Sequence, residues 1–206
     1  MVFQAFCVIL FAILSLASEV VAQSTVNAGR KFAFGIPEGP DRQVGPGGGE
    51  SRIFLTFLGT TSGCAVVKGP DGFSASVNFN GTREREIEIP VSYMQKWEEG
   101  FNRKGFVVET TQPVGIELHV VFESAGESTQ IFPMEMLDGD YLLSGWSLFD
   151  DKFFGENNRA QFLITAAEDN TKVTVTAPHG LLPNIAPGTT FTVTLNAGEC
   201  YIGKMD

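Results

Sequence analysis

The feature that most constrains the fold is a period of two in hydrophobicity, repeated along most of the chain after its first fifty residues. Phe73, Ala75, Val77 and Phe79 share one parity, and Ser74, Ser76, Asn78 and Asn80 the other. Ile87 and Ile89 oppose Glu84, Glu86 and Glu88, and Ile116, Leu118, Val120 and Phe122 oppose Glu117, His119 and Glu123. Val173 and Val175, then Phe191, Val193 and Leu195, alternate with threonines that suit a pleated surface. Successive side chains of a strand point to opposite faces, so each run has one face to bury. A sheet with one apolar face needs a second sheet to cover it. The expectation is therefore an all-β chain of antiparallel, sandwich-type units.

Turn-forming clusters separate the runs: Pro37-Glu38-Gly39-Pro40-Asp41, Gly45-Pro46-Gly47-Gly48-Gly49, Gly69-Pro70-Asp71-Gly72 and Ala186-Pro187-Gly188. Gly47-Gly48-Gly49 lacks the Gly-Lys-Ser/Thr ending of a phosphate loop and is followed by Glu50, so it reads as a surface loop. Asn80-Gly81 predicts a tight hairpin turn between the runs on either side. One helix is expected near 92–100, where Ser92 and Gln95 have capping-box spacing, Met94, Trp97 and Phe101 share a face, and Gly100 can end the element.

A weak but ordered internal repeat organises the chain. Ile53-Phe54-Leu55-Thr56, Cys64-Ala65-Val66-Val67, Pro70-Asp71-Gly72 and the run Phe73 to Phe79 are echoed by Phe162-Leu163-Ile164-Thr165, Val173-Thr174-Val175-Thr176, Pro178-His179-Gly180 and the run Phe191 to Leu195. The expected organisation is a leader at 1–22, an N-terminal strand and Gly/Pro-rich loop at 23–50, a first β unit at 51–150, and a second, truncated unit at 151–206. A second copy that stops short predicts a fragment with an open strand edge, through which the chain can self-associate.

Residues 3–17 are uncharged and largely apolar, and Val20-Val21-Ala22 places small residues where a signal peptidase cuts, so cleavage is expected after Ala22. The absence of Lys and Arg before the apolar stretch leaves a retained anchor as the alternative, and no later run approaches a membrane span in length. The reading is a secreted, extracellular protein. Of 24 acidic residues only Glu19 lies in the leader, so 23 acids face 14 bases in the remainder, a formal charge of −9. Nucleic acid is excluded as a partner on that ground, because phosphate binding needs clustered Lys and Arg, and Arg83/Arg85 and Arg103/Lys104 stand beside or between acids or neutral residues. Cys64 and Cys200 survive cleavage and can form a disulfide in an oxidising compartment; equally, each can be a buried thiol, or Cys200 can pair outside the chain. Asn80-Gly81-Thr82 is an N-glycosylation sequon at a turn, which makes Asn80 a glycan site.

Three phrases resemble the IgG Fc-binding protein N-terminal domain family. They are Pro113-Val114-Gly115-Ile116-Glu117-Leu118, the stretch from Ala160 to Thr176 centred on Ala167-Glu168-Asp169-Asn170-Thr171-Lys172-Val173-Thr174-Val175, and Leu195-Asn196-Ala197-Gly198-Glu199-Cys200-Tyr201. The likeness runs from about Arg30 onward. In the family the Gly-Glu-x-Tyr strand is followed by further strands, which this chain lacks. All three are turn and strand phrases, so the resemblance implies the module type: an extracellular, mucus- or matrix-associated binding or adhesion module with a protein or glycoprotein partner. No residue here maps to an Fc contact.

Catalytic chemistry has little to stand on. His119 lies on the exposed parity of a strand and His179 in a Pro-His-Gly turn, and neither has a partner at metal-ligand or triad spacing. No nucleophile elbow or Cys/His signature is present. Glu98/Glu99, Asp138/Asp140 and Asp150/Asp151 read as solvated acidic loops; the two aspartate pairs offer oxygen ligands to calcium, but not at EF-hand spacing. Trp146, Phe149, Phe153 and Phe154 form the densest aromatic patch and read first as core packing. No enzyme, cofactor or metal site is therefore expected. A structural segment of a larger secreted protein is the alternative to a binding module, and a hydrolase with dispersed residues the least favoured. An exposed apolar surface or an uncovered strand edge would favour the binder.

Overall fold

The structure, a computed structural model, describes residues 27–37, 51–81, 85–95, 100–122, 125–143, 160–178, 181–182 and 185–205. These residues are all-β, in antiparallel sheets. In chain order the strands are β1 (Gly29–Phe34), β2 (Arg52–Leu58), β3 (Ser62–Lys68), β4 (Ser74–Asn80), β5 (Arg85–Ile89), β6 (Gly100–Asn102), β7 (Phe106–Phe122), β8 (Ala125–Ile131), β9 (Gln161–Thr165), β10 (Thr171–Ala177), β11 (Leu181–Leu182), β12 (Thr189–Leu195) and β13 (Cys200–Met205).

The 17-residue strand β7 organises the larger part of the fold. Its first residues pair with β1 and with β3, since Val107, Val108 and Glu109 each face a partner in both strands. A strand has two edges, so β1 and β3 must lie on opposite sides of it. Its later residues pair likewise with β2 and β8, through Ile116 to Val121. One layer is thus β4-β3-β7-β1 and the other β5-β2-β7-β8, with β7 common to both. The core lies between them. Phe106, Val108, Val114, Ile116 and Leu118, all of one parity, are buried there with Phe32, Ile53, Leu55, Phe57, Ala65, Val67, Phe79, Ile87 and Ile89. Burying each of the larger aliphatic and aromatic side chains removes apolar area from water worth roughly 1.5–3 kcal/mol.

The alternation read in the sequence holds along β4 and β5: Ser74, Ser76, Asn78, Asn80, Glu86 and Glu88 are exposed, while Phe79, Ile87 and Ile89 are buried. The hairpin expected at Asn80-Gly81 does not form. β4 pairs with β3, β5 pairs with β2, and the link between them carries the chain from one layer to the other. Both runs turn their apolar residues toward one core from opposite layers, which pairing to each other in a single sheet would prevent. Gly81 has φ +72, and a Cβ there would meet the Thr60 carbonyl oxygen at 2.5 Å, so the chain passes close to the Thr60 backbone.

The start of the helix expected at 92–100 is also replaced. Val91–Tyr93 make one 3-10 turn, and Met94 is already extended (φ −54, ψ 138). The Gln95 backbone N–H donates to Ile36 O at 2.8 Å in place of an intrahelical carbonyl, as part of a parallel bridge between Pro37 and Gln95. Tertiary pairing here competes directly with the helix for the same donor. Residues 96–99, including Trp97, lie outside the described residues.

The remaining strands form two small sheets. β13 pairs with β9 on one edge and with β6 and β11 on the other, and β10 pairs with β12 over seven residues in strict register. Ala166, Val193 and Leu195 form a second core between them, with Ile164, Val173, Phe191 and Tyr201 half-buried against it. β1, from the 23–50 stretch, thus completes a layer with β7, and β6, from the 51–150 stretch, pairs with β13 near the end of the described residues.

Candidate functional site

The turn after β9 and the turn before β13 are built into each other. Asn170 has φ 59 and Gly198 φ 77, left-handed positions that Asn tolerates and Gly adopts without strain. Asp169 Oδ1 accepts from the Ala197 N–H at 3.1 Å, and Asn196 Oδ1 accepts from the Asn170 N–H at 3.2 Å. Glu199 Oε2 accepts from the Asn196 N–H at 2.8 Å, and the Thr171 hydroxyl donates to Glu168 O at 2.7 Å. The backbones close the clasp: Ala166 N–H donates to Glu199 O and Gly198 N–H to Ala166 O. Each acidic or amide side chain supplies the acceptor that an exposed turn N–H would otherwise find in water. The phrases Asp-Asn-Thr and Asn-Ala-Gly-Glu are thus two halves of one structural device.

The clasp also meets β1 and the link between β6 and β7. Gly105 N–H donates to Gly198 O at 3.0 Å, Lys31 Nζ lies 3.0 Å from Glu168 Oε1, and Arg103 Nε lies 3.3 Å from Glu199 Oε1. The ion pairs are largely solvent-exposed, so orientation rather than stability is their main contribution.

Residues 127–204 match the family model of the IgGFc binding protein. The IgGFc-binding match contains β8 to β12 nearly whole and most of β13, and with them both halves of the clasp and the second core. Of the three phrases that carry the resemblance in the sequence, the two in the clasp lie inside it, and Pro113 to Leu118, in β7, lies outside. No match is found among curated proteins or among solved structures.

Within the IgGFc-binding match, the stretch after β8 exposes large apolar side chains. Phe132, Met136, Leu137, Tyr141 and Leu143 are exposed, and Leu142 is 98% accessible. Sequence reasoning passed over this stretch because it lacks strand periodicity; the signal that could have found it is the run Met134-Glu-Met-Leu and Tyr141-Leu-Leu around the Asp138-Gly139-Asp140 turn. Phe101 is 62% exposed, and its ring meets Tyr201 edge-on with centroids 5.2 Å apart. Tyr201 in turn touches Phe162 and Phe191, so an aromatic cluster links the second core to the surface.

The residues singled out for chemistry are dispersed. Asn80 ends β4 on the surface, opposite Ser62, while Thr82 lies outside the described residues. Cys64 and Cys200 are free thiols in different strands. The Cys64 N–H donates to Thr111 Oγ1 at 2.9 Å, on β7. Cys200 is fully buried, 3.2 Å from Thr165 Oγ1. Burial pushes its thiol pKa up from the ordinary 9.0; the Thr165 hydroxyl and the Gln95 amide oppose that shift. A protonated, inaccessible thiol is a poor nucleophile.

His119 stacks on Phe54, with centroids 4.7 Å apart and planes 12° apart, and its Nε2 is 3.5 Å from Glu117 Oε2. Arg52 sits over the same Phe54 ring at 5.4 Å. Asp138 and Asp140 are exposed, and Asp138 Oδ1 accepts from the Gly139 N–H at 2.7 Å, an ordinary turn bond. Among the described residues no group of three His, Cys, Asp or Glu side chains is arranged to hold a metal ion. Also among them, no helix is long and apolar enough to cross a membrane. His179, Asp150, Asp151 and the Trp146, Phe149, Phe153, Phe154 patch lie outside the described residues, as do Pro40 and Gly47-Gly48-Gly49.

Proposed function

We propose that the chain is a secreted extracellular binding or adhesion module that recognises a protein or glycoprotein and turns over no substrate. The observation that carries the reading is the IgGFc binding protein match over 127–204, which falls on the clasp, the second core and the exposed apolar stretch together. A leader whose residues 3–17 are uncharged and largely apolar, a charge of −9 after it and an N-glycosylation sequon at the exposed Asn80 support it. Large apolar side chains held in solvent by a rigid β scaffold are a common basis for protein recognition. The family's name makes antibody Fc the first ligand to try, and glycoprotein from mucus or matrix the second.

The test is a pull-down with the glycosylated chain, starting at Gln23, against immobilised Fc and against mucus or matrix extract. Esterase, protease and glycosidase assays run beside it. A retained partner that is lost on Leu142→Ser with Leu137→Ser supports the reading. Turnover abolished by replacing His119, His179 or the Asp138/Asp140 pair would overturn it, and so would the absence of any retained protein.

A further inference from the structure

A row of polar side chains crosses the sheet around β13. Cys200 pairs with Asn102 of β6 on one side and with Thr165 of β9 on the other, and directly paired residues point to the same face, so the three stand side by side. The Gln95 side chain lies across this row. Its Oε1 accepts from Asn102 Nδ2 at 2.6 Å, while its Nε2 and Thr165 Oγ1 converge on the space beside Gly35, where a Cβ would meet them at 2.6 and 3.1 Å. With its oxygen at Asn102 and its nitrogen on the Thr165 side, the carboxamide spans the thiol between them. The Gln95 backbone is tied down as well, its N–H donating to Ile36 O at 2.8 Å.

A buried carboxamide is ordinarily paired at both of its polar atoms. Gln95 is 1% exposed and Cys200 0%, and the Gln95 nitrogen faces the sulfur, whose charged form it favours. Nε2 nevertheless makes no well-formed hydrogen bond with any described residue. The oxygen is held by a short bond and the nitrogen is left unpaired. Acyl transfer asks for the same parts: a donor on the carbonyl oxygen, a nucleophile beside the carbonyl, and a hydroxyl at the nucleophile to carry its proton. Here they are Asn102, Cys200 and Thr165, whose Oγ1 is 3.2 Å from Sγ.

We propose that the Cys200 thiol closes on the Gln95 carboxamide to form an intrachain thioester with loss of ammonia, a masked acyl group that a primary amine of a partner can take. The bond from Sγ to Gln95 Cδ forms and the bond from Cδ to Nε2 breaks. The thiol proton passes through the Thr165 hydroxyl to the leaving nitrogen, which departs as ammonia, and nothing is oxidised or reduced. Expulsion of Nε2 also removes the unpaired buried donor. A thiol that outside reagents cannot reach meets this carboxamide without diffusion, so proximity replaces the reactivity that burial withholds. In the open form that thiol keeps its proton. The same burial excludes the water that would hydrolyse the closed bond. When local opening admits an amine, its nitrogen bonds to Cδ, sulfur leaves as the thiol, and the product is an amide. Closure of the bond stands apart from the binding reading; its use on a partner's amine rests on that reading.

The test uses the chain starting at Gln23, purified in amine-free buffer and followed by intact mass and peptide mapping at mildly acidic pH. The expected result is a loss of one ammonia located to a linked pair of peptides that contain Gln95 and Cys200, and absent from Cys200→Ala and from Gln95→Glu. An N-terminal Gln23 loses ammonia too when it cyclises, so the location of the loss decides, not the total mass. Methylamine in mild denaturant should open the link, leaving a methylamide on Gln95 and one new thiol at Cys200. Unlinked, full-mass Gln95 and Cys200 peptides from the native protein would overturn the proposal, and that result requires no variant to fold. A linked pair that survives methylamine would overturn it equally. A chain that retains a partner in the pull-down without the link would preserve the binding reading and remove this one.

Discussion

Replacing Gly105 by Ala tests whether the link between β6 and β7 and the clasp are held at contact distance. Gly105 is not among the glycines with positive φ, so alanine fits its backbone. In the absence of other effects, Gly→Ala at such a site stabilises by about 0.4–1 kcal/mol, because the unfolded chain loses freedom. The structure predicts the opposite sign. A Cβ would stand 2.7 Å from Gly198 O, 2.8 Å from Thr165 Cγ2 and 3.0 Å from Cys200 Sγ. The first of these is backbone held by the clasp, so relief requires the two chains to separate. Overpacking of this kind costs about 1–3 kcal/mol, and lengthening the Gly105 N–H to Gly198 O bond adds about 0.5–1.5 kcal/mol. The net expectation is a loss of about 2 kcal/mol, seen in urea as a lower midpoint with unchanged slope, and in heat as a fall of roughly 4–8 °C for a chain of this size. Adding Thr165→Ser removes one of the three contacts and should restore part of the loss. A midpoint that stays put or rises in Gly105→Ala would refute the close approach, and with it the docking of the clasp on the link between β6 and β7.

Three further outcomes follow from the same geometry. In a chain starting at Gln23, a thiol reagent at neutral pH should modify the half-exposed Cys64 and leave Cys200 untouched until the protein unfolds; equal rates would contradict the burial. The raised Cys200 pKa means the folded state holds its proton longer, so that contribution is full below about pH 9.0 and is lost as pH climbs through the raised value; Cys200→Ala should flatten the stability profile there, and an unchanged profile would count against the shift. Asp169→Ala and Asn196→Ala should each cost about 1 kcal/mol and couple measurably in a double-mutant cycle, whereas strict additivity would mean the two turns act independently. Asn80→Gln should lower the mass of the protein secreted from a glycosylating host by one glycan, and an unchanged mass would remove the site.

Strand identity was legible in the sequence because it depends on neighbours two residues apart. The parity of Ile116, Leu118 and Ile87, Ile89 determines which side is buried whatever the strands pair with. The turn residues were legible too: Asn170 and Gly198 occupy the left-handed backbone that their chemistry permits. Pairing was not, because it is set by competition between strands far apart in the chain. Asn80-Gly81 has the composition of a hairpin, yet β5 goes to β2, where Ile89 meets Ile53 and Ile87 meets Leu55 beside β7. Residues 91–95 have the spacing of a helix start, yet the Gln95 N–H finds Ile36 O, over fifty residues away. The same holds for the surface. The sequence by itself determined an all-β, acidic chain, while only the tertiary structure decided that β7 serves both layers of the larger sandwich and that, among the described residues, β9 pairs with β13 and β10 with β12. Alternation states which face of a strand is apolar; it carries no term for which backbone edge lies next to which, and that edge-to-edge choice is made only when the whole core closes.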